Sequence, residues 1–236
     1  MGKPMTRLCT VCARGGSKGV KNKNIREIGG KPLIGHTLEQ ARSSGLFDLI
    51  AVSSDSPEIL DAARRFGADL LVERPAEMAT DSAAKIPAIR HCVETAERHV
   101  ARRFDILADL DATSPLRLAE DIVGAVKLLE TRGVSNVITA APARRSPYFN
   151  LVEVGSDGVV RLSKPLSSAI VRRQDAPPTY DMNASIYVWR HDALFEDPAI
   201  FRPDTALFVM PEERSIDIDS ELDFRFVEML LLERTR

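Results

Sequence analysis

The stretch Leu8-Cys9-Thr10-Val11-Cys12-Ala13 runs straight into Arg14-Gly15-Gly16-Ser17-Lys18-Gly19. A short apolar run that ends at glycines reads as a strand of a buried parallel sheet. The glycines let the backbone turn sharply and present its N–H groups to an anion. Arg14 and Lys18 add fixed positive charge, and Lys21, Asn22, Lys23 and Asn24 follow closely. This composition suits a triphosphate. The same residues could also form a plain exposed basic loop. The loop is neither a Walker A motif, which needs Gly-Lys-Ser/Thr, nor a GxGxxG turn.

Outward from this stretch, helices and strands alternate. Pro32 to Ser44 reads as a helix with Leu33, Ile34, Leu38 and Ala41 on one stripe. Leu49–Ser53 is a strand, and Pro57–Phe66 a helix with Pro57 at its first position after Ser56. Asp69–Val72, Phe104–Leu110 and Val137–Ala141 read as strands, and Ala83–Val100 and Leu118–Arg132 as helices. Such alternation predicts a Rossmann-like α/β fold, a mostly parallel sheet flanked by helices on both faces. Right-handed crossovers then gather the loops that follow the strands along one edge, where ligands bind. Between about 142 and 182 the rhythm breaks at Pro142, Pro147, Pro165, Pro177 and Pro178. Asn150–Val154 and Val159–Leu162, joined by Gly155-Ser156-Asp157-Gly158, predict an antiparallel arm inserted into a single domain. Ser185–Trp189 returns to strand, and Asp219 or Ser220 caps a last helix to about Glu233.

With 44% hydrophobic and 28% charged residues over 236 positions, the chain can bury a sizeable core. A net charge of -2 is not the footprint of a nucleic-acid binder. No apolar run approaches the roughly 18–20 residues of a membrane span, and the short polar start, Met1 to Arg7, predicts a cytoplasmic protein. Cys9 and Cys12 form a CxxC without a second pair or a nearby paired histidine, so they read as strand residues rather than a metal or redox site. His36, His91, His99 and His191 lack the spacing of a helical zinc site, and GxSxG is absent.

Three further motifs carry chemistry. In Ser215-Ile216-Asp217-Ile218-Asp219, strand geometry would aim Asp217 and Asp219 to one side. Two neighbouring carboxylates repel unless a cation lies between them, and hard oxygen ligands suit Mg²⁺. Asp219 could instead simply cap the last helix. Asp109-Leu110-Asp111-Ala112-Thr113-Ser114-Pro115-Leu116-Arg117 ends a strand. There Asp111 could touch sugar hydroxyls, while Ser114-Pro115 also suits an ordinary helix start. Arg74, before Pro75-Ala76-Glu77, could read or stack on a base, or form a surface ion pair.

In this order, with Gly30-Lys31-Pro32-Leu33-Ile34, Val52-Ser53-Ser54-Asp55 and Asn183-Ala184-Ser185-Ile186-Tyr187, the motifs resemble the acylneuraminate cytidylyltransferases over nearly the whole chain. The resemblance implies transfer of CMP from CTP to a nonulosonic, sialic-acid-like sugar, with Mg²⁺ as cofactor and a homodimer built through the arm. It implies a nucleotide site of Ala13, Arg14, Gly15, Ser17, Lys18, Lys23, Asn24, Arg74 and Lys85. It also implies a sugar site of Asp111, Thr113, Ser114, Phe149, Arg173 and Tyr187, with Asp217 and Asp219 on the metal. Arg14, Lys18 and Asp219 would act in catalysis. The chain departs from the pattern at Asp111-Ala112, where the family usually reads Gln-Pro, at Pro147-Tyr148-Phe149-Asn150, where a lysine is common, and at Lys85, where a small hydroxyl residue is usual. These departures point to a legionaminic-type acid. The same chemistry with GTP or with an eight-carbon keto-deoxy acid, and a non-catalytic nucleotide-sugar-binding protein, are the alternatives.

Overall fold

The computed structural model describes residues 5–168, 170, 172–197 and 199–234, so that Met1 to Pro4 and positions 169 and 171 of the arm lie outside it. The first strand, β1 (Arg7–Cys12), is central to a seven-stranded sheet. On one side it pairs in parallel with β4 (Leu49–Ser54), which pairs in parallel with β5 (Leu70–Glu73). On the other side lies β6 (Ile106–Leu110), also parallel. The chain thus leaves β1 outward, then returns to its opposite flank, which places a topological switch point between β1 and β6.

Beyond β6 the expected parallel order is interrupted. The long strand β10 (Tyr180–Arg190) runs antiparallel between β6 and β7 (Asn136–Pro142), and β11 (Ala206–Val209) pairs in parallel outside β7. Because β10 runs backwards, its first residues lie at the same sheet edge as the ends of β6 and β7. Its register to β7 shifts between Met182 and Tyr187, and Ala184 within that bulge has a left-handed φ of 50°.

Side chains of successive strand residues point to opposite faces and meet different helices. Cys9, Val11, Ile50 and Val52 pack with α1 (Leu33–Ser43), α2 (Pro57–Arg65) and α4 (Ala119–Arg132). Leu8, Ala51, Leu107 and Trp189 pack with α3 (Lys85–Val100) and the short α5 (His191–Glu196). A third cluster joins Val20, Ile28, Leu33 and Leu116 to Ile218 and to Phe224 and Val227 of α6 (Glu221–Arg234). It therefore ties the basic loop to the C-terminal helix.

Several local expectations hold. Ser56 caps α2 by accepting from the Ile59 N–H at 3.3 Å. The arm carries the expected hairpin, β8 (Val152–Val154) with β9 (Val160–Leu162), and every residue of both strands is exposed. Gly29-Gly30 closes a small hairpin between β2 (Glu27–Ile28) and β3 (Lys31–Pro32) just before α1. Both glycines have positive φ, as a two-residue hairpin turn requires. Among the described residues all three cysteines are free, Cys9 and Cys92 buried and Cys12 half-buried, and no helix is long and apolar enough to cross a membrane. Burial pushes the Cys9 thiol up, which keeps it protonated and unreactive.

Candidate active site

The basic loop leaves β1 at the switch point. Ala13 stays in the sheet frame by donating its N–H to the Ser53 carbonyl at 3.0 Å. The Gly15 N–H donates to Asp55 Oδ1 at 2.9 Å, and Asn24 Nδ2 to the Arg14 carbonyl at 2.9 Å. These bonds shape a turn whose remaining cations, Arg14 and Lys18, both reach Asp81, at 2.8 and 2.5 Å. Hydrogen bonds from Lys18, then Arg14, hold the Asp81 carboxyl below its ordinary range. A carboxylate already occupies the place where the two cations converge. A cavity of about 310 Å³ beside them is lined by Gly15, Gly16, Ser17, Lys23, Asn24 and Ser56 among others.

The late aspartates come to this loop. A Cβ at Gly19 would overlap the carbonyl oxygen of Asp219, so only glycine permits the approach. The Lys23 ammonium, largely buried, donates to the Ile218 carbonyl at 2.5 Å and to Asp219 Oδ1 at 3.2 Å. Contrary to the sequence reading, residues 215–219 do not form a strand. They are an irregular segment that contacts the end of β6 through one backbone bond, Ile218 N–H to Thr113 carbonyl at 3.0 Å. Alternation survives nonetheless, because Ile218 is buried in the third cluster while Asp217 and Asp219 are exposed. Nor does Asp219 cap α6. Ser220 does, accepting from the Asp223 N–H at 3.2 Å while Asp223 Oδ2 accepts from the Ser220 N–H at 2.8 Å. The Asp219 carboxylate is thereby left to face Lys23. The Asp217 carboxyl, open on one side and backed by protein on the other, is pushed up by desolvation and then by the charge of Asp219.

A second polar cluster lies at the end of β6. Lys85, the first residue of α3, has its ammonium 3.0 Å from both Asp109 Oδ2 and Asp111 Oδ2. A cation at a helix N-terminus opposes the helix dipole. Burial also works against the charge, yet the two carboxylates outweigh it and hold Lys85 charged well above its ordinary range. Burial likewise opposes ionisation of Asp111, and Lys85 with the Thr113 N–H and hydroxyl overcomes it, keeping Asp111 ionised. Thr10 donates to the other oxygen of Asp109 at 2.8 Å. The Tyr187 ring lies 5.1 Å from the Lys85 nitrogen and stacks on Trp189.

Among the expected site residues, the structure brings Ala13, Arg14, Gly15, Ser17, Lys18, Lys23 and Asn24 onto one loop that meets Asp219, with Lys85, Asp111, Thr113 and Tyr187 clustered at the end of β6, whereas Asp217, two residues before Asp219, lines a separate cavity of about 630 Å³ with Arg144, Asn183 and Ser215. Ser114 is fully buried next to Thr113 and its hydroxyl finds no partner among the described residues. Arg74 is buried and holds the end of β4, donating to the Ser53 hydroxyl at 3.2 Å and carbonyl at 2.8 Å. Phe149 and Arg173 stand apart on the arm. Phe149 sits in a turn closed on the Ser146 carbonyl, and Arg173 donates to the Ala143 carbonyl at 2.6 Å.

Two residues with no assigned role in the sequence reading frame the site. Arg117 is fully buried and donates to the Ser185 carbonyl at 2.7 Å, the Thr37 hydroxyl at 2.9 Å, Gln40 Oε1 at 3.2 Å and the Asp111 carbonyl at 3.3 Å. Desolvation pulls its guanidinium down to about 10, and it stays charged at neutral pH. Arg214 ties the segment before the aspartates to α4, 2.6 Å from Glu120 and 3.0 Å from Asp121. The Arg at the end of the Thr-Ser-Pro-Leu-Arg motif was a visible signal for the first; Arg214 had none.

The sequence model of the family described as cytidylyltransferase matches residues 8–228. A protein of Campylobacter coli, "Post-translational flagellin modification protein B", is 48% identical over 227 residues, 96% of this chain and 95% of its own length. CMP-N,N'-diacetyllegionaminic acid synthase of Campylobacter jejuni subsp. jejuni serotype O:2 is 48% identical over 224 residues, 95% of this chain and 94% of its own. In fold, the chain is similar to CMP:2-keto-3-deoxy-manno-octonic acid synthetase solved with CTP, at a TM-score of 0.71 and 17% identity, covering 97% of this chain and 99% of that one. A switch-point loop rich in glycine and cations, closed by a late acidic pair, thus occurs on a chain that belongs to the cytidylyltransferase family and is a nucleotidyltransferase.

Proposed function

We propose that this enzyme transfers CMP from CTP to the anomeric hydroxyl of a nonulosonic acid of legionaminic type, releasing pyrophosphate. The observation that carries the reading is the junction of Gly19 and Lys23 with Asp219. It joins the cationic loop to the acidic pair although they lie about 200 residues apart in sequence. The relative named for CMP-N,N'-diacetyllegionaminic acid supports the choice of sugar, as do Lys85 and Asp111.

In this reading the triphosphate displaces Asp81 from Arg14 and Lys18, which stabilise charge as it shifts onto pyrophosphate. The N–H groups of residues 16–19 orient the phosphates, Arg74 backs the base, and Tyr187 with Asp111, Thr113 and Ser114 borders the sugar. Catalysis is then mainly positioning and electrostatics. Asp217 and Asp219 suit Mg²⁺, since they are exposed, hard oxygen donors whose mutual repulsion a cation would relieve. With only two carboxylates offered, phosphate oxygens and water would complete its shell. Bound there, it would polarise the phosphates and draw the nucleophile near. The apolar, solvent-facing hairpin around Val154 and Val160 is assigned to a second copy of the chain, whose arm would bring Phe149 and Arg173 into use. The reading places the enzyme in the cytoplasm, where CTP is made.

Pyrophosphate release over four nucleotides and several nonulosonic acids tests the reading, with CTP and a legionaminic-type acid expected to dominate. Preference for GTP, or for an eight-carbon keto-deoxy acid, overturns it. Asp219→Ala is expected to lose on the order of 10²–10³-fold in kcat with its circular dichroism unchanged. Wild-type turnover in that variant removes the acidic pair from the mechanism.

A further inference from the structure

Asp217 lies on an irregular segment, and irregular backbone holds a side chain in place only if something outside it does so. Three contacts serve here: Arg214 on α4, Ile218 N–H on Thr113, and between them Ser215. The Ser215 hydroxyl donates to the Pro211 carbonyl at 2.8 Å and accepts from Asn183 Nδ2 at 3.0 Å. Asn183 is buried in the bulge of β10. Its Oδ1 accepts from the Thr139 hydroxyl at 2.7 Å and the Ser185 N–H at 3.2 Å, and its Nδ2 also reaches Met210 Sδ at 3.4 Å. An asparagine amide offers about four hydrogen-bonding positions, and all of them are filled within the chain. Asn183 therefore has none left for a substrate.

The bulge itself is an uncommon conformation. Ala184 is left-handed, which a side chain disfavours, and such backbone persists where its surroundings over-determine it, often beside functional sites. On its other side, Arg117 grips the Ser185 carbonyl and hydroxyl, at 2.7 and 3.1 Å, as well as the Asp111 carbonyl. One hydrogen-bonded network thus runs from the end of β6 through the buried β10 bulge to the half-buried Ser215, two residues before Asp217.

We infer that Ser215, held between the Asn183 amide and the Pro211 carbonyl, is a positioning residue that sets where Asp217 presents its carboxylate to a divalent cation. The inference rests on the proposed role of Asp217. Outer groups that orient a metal-binding carboxylate commonly change metal affinity by 10–100-fold when removed. The test uses Mn²⁺ alone, titrated into the full chain and followed by water proton relaxation. Ser215 is half-buried, so Ser215→Ala should fold, and its Tm reports that it does. Ser215→Ala is expected to weaken Mn²⁺ binding by about tenfold, and Ser215→Thr, which keeps the hydroxyl, to return to within about twofold of wild type. If Asp217→Asn weakens binding and Ser215→Ala does not, the positioning role falls while the cation site stands. If Asp217→Asn also binds Mn²⁺ like wild type, the cation reading falls and takes this inference with it. Equal loss in Ser215→Ala and Ser215→Thr likewise overturns it.

Discussion

The carboxyl edge of β1 and β6 and the arm between β7 and β10 are built on opposite terms. At the edge, most polar groups are matched: Lys85 between Asp109 and Asp111, buried Arg117 among five acceptor atoms, buried Asn183 with its amide filled. On the arm, apolar groups are unmatched: Val152, Val154, Val160 and Leu162 all face solvent. Buried charge demands partners close by in the same chain, because an unpaired one is costly. Exposed valines demand only that something cover them, and nothing among the described residues does. Most of the edge's polar groups find partners among the described residues; the arm's valines do not.

The largest effect should come from the one contact where the edge tolerates no atom. Gly19→Ala puts a methyl group into the Asp219 carbonyl and must part the loop from the acidic pair. Activity is expected to fall about 10²-fold, since misplacement by an ångström can cost that much, while Gly16→Ala, with open space around it but a positive φ, should mainly cost stability. Equal activity in Gly19→Ala and wild type would show that the junction can loosen freely.

Next in size is Lys85→Met, which leaves the buried Asp109 and the half-buried Asp111 without their cation. Urea unfolding at pH 7 should show a loss of about 3–5 kcal/mol. The pH dependence fixes the sign. In the wild type the Asp111 pKa is depressed below its unfolded value, so its contribution is present above roughly pH 4 and is lost as pH falls through the folded value. Without Lys85 burial raises the folded pKa above the unfolded one, and the variant should instead recover stability relative to wild type as pH falls from 7 toward 4. A deficit that is the same at pH 7 and pH 4 would mean that Lys85 contributes packing rather than charge.

The smallest effect on the fold should come from the arm. Val154→Asp with Val160→Asp is expected to change unfolding free energy by no more than about 0.5 kcal/mol per site, measured on dilute protein. Sedimentation should nonetheless shift from dimer to monomer. A monomeric wild type would show that the arm's valines serve some other contact.

Much of the edge was legible in the sequence because its signals are local. A strand followed by glycines and cations, the caps at Ser56 and Ser220, and the alternation of aspartates around Ile218 each lie within a few residues. What escaped is long-range. Strand periodicity carries no direction, so the antiparallel insertion of β10 between β6 and β7 left no mark in its residues. β11 has four residues and α5 six, too few to show a period. The ion cluster of Lys85 joins residues 24 and 26 positions apart, and the Asn183–Ser215 bond spans 32, distances at which side-chain type alone says nothing of contact.

The closeness of Gly19 to Asp219 also bears on the chain's birth. A ribosome that has released residues up to about 200 has already delivered every parallel strand around β1, and that half can begin to collapse. Yet the third apolar cluster, which needs Ile218, Phe224 and Val227, is not yet made, so Arg14 and Lys18 can already meet Asp81 while Lys23 still lacks Asp219. The junction of Gly19 and Lys23 with Asp219 can therefore close only when the last stretch of the chain has been delivered.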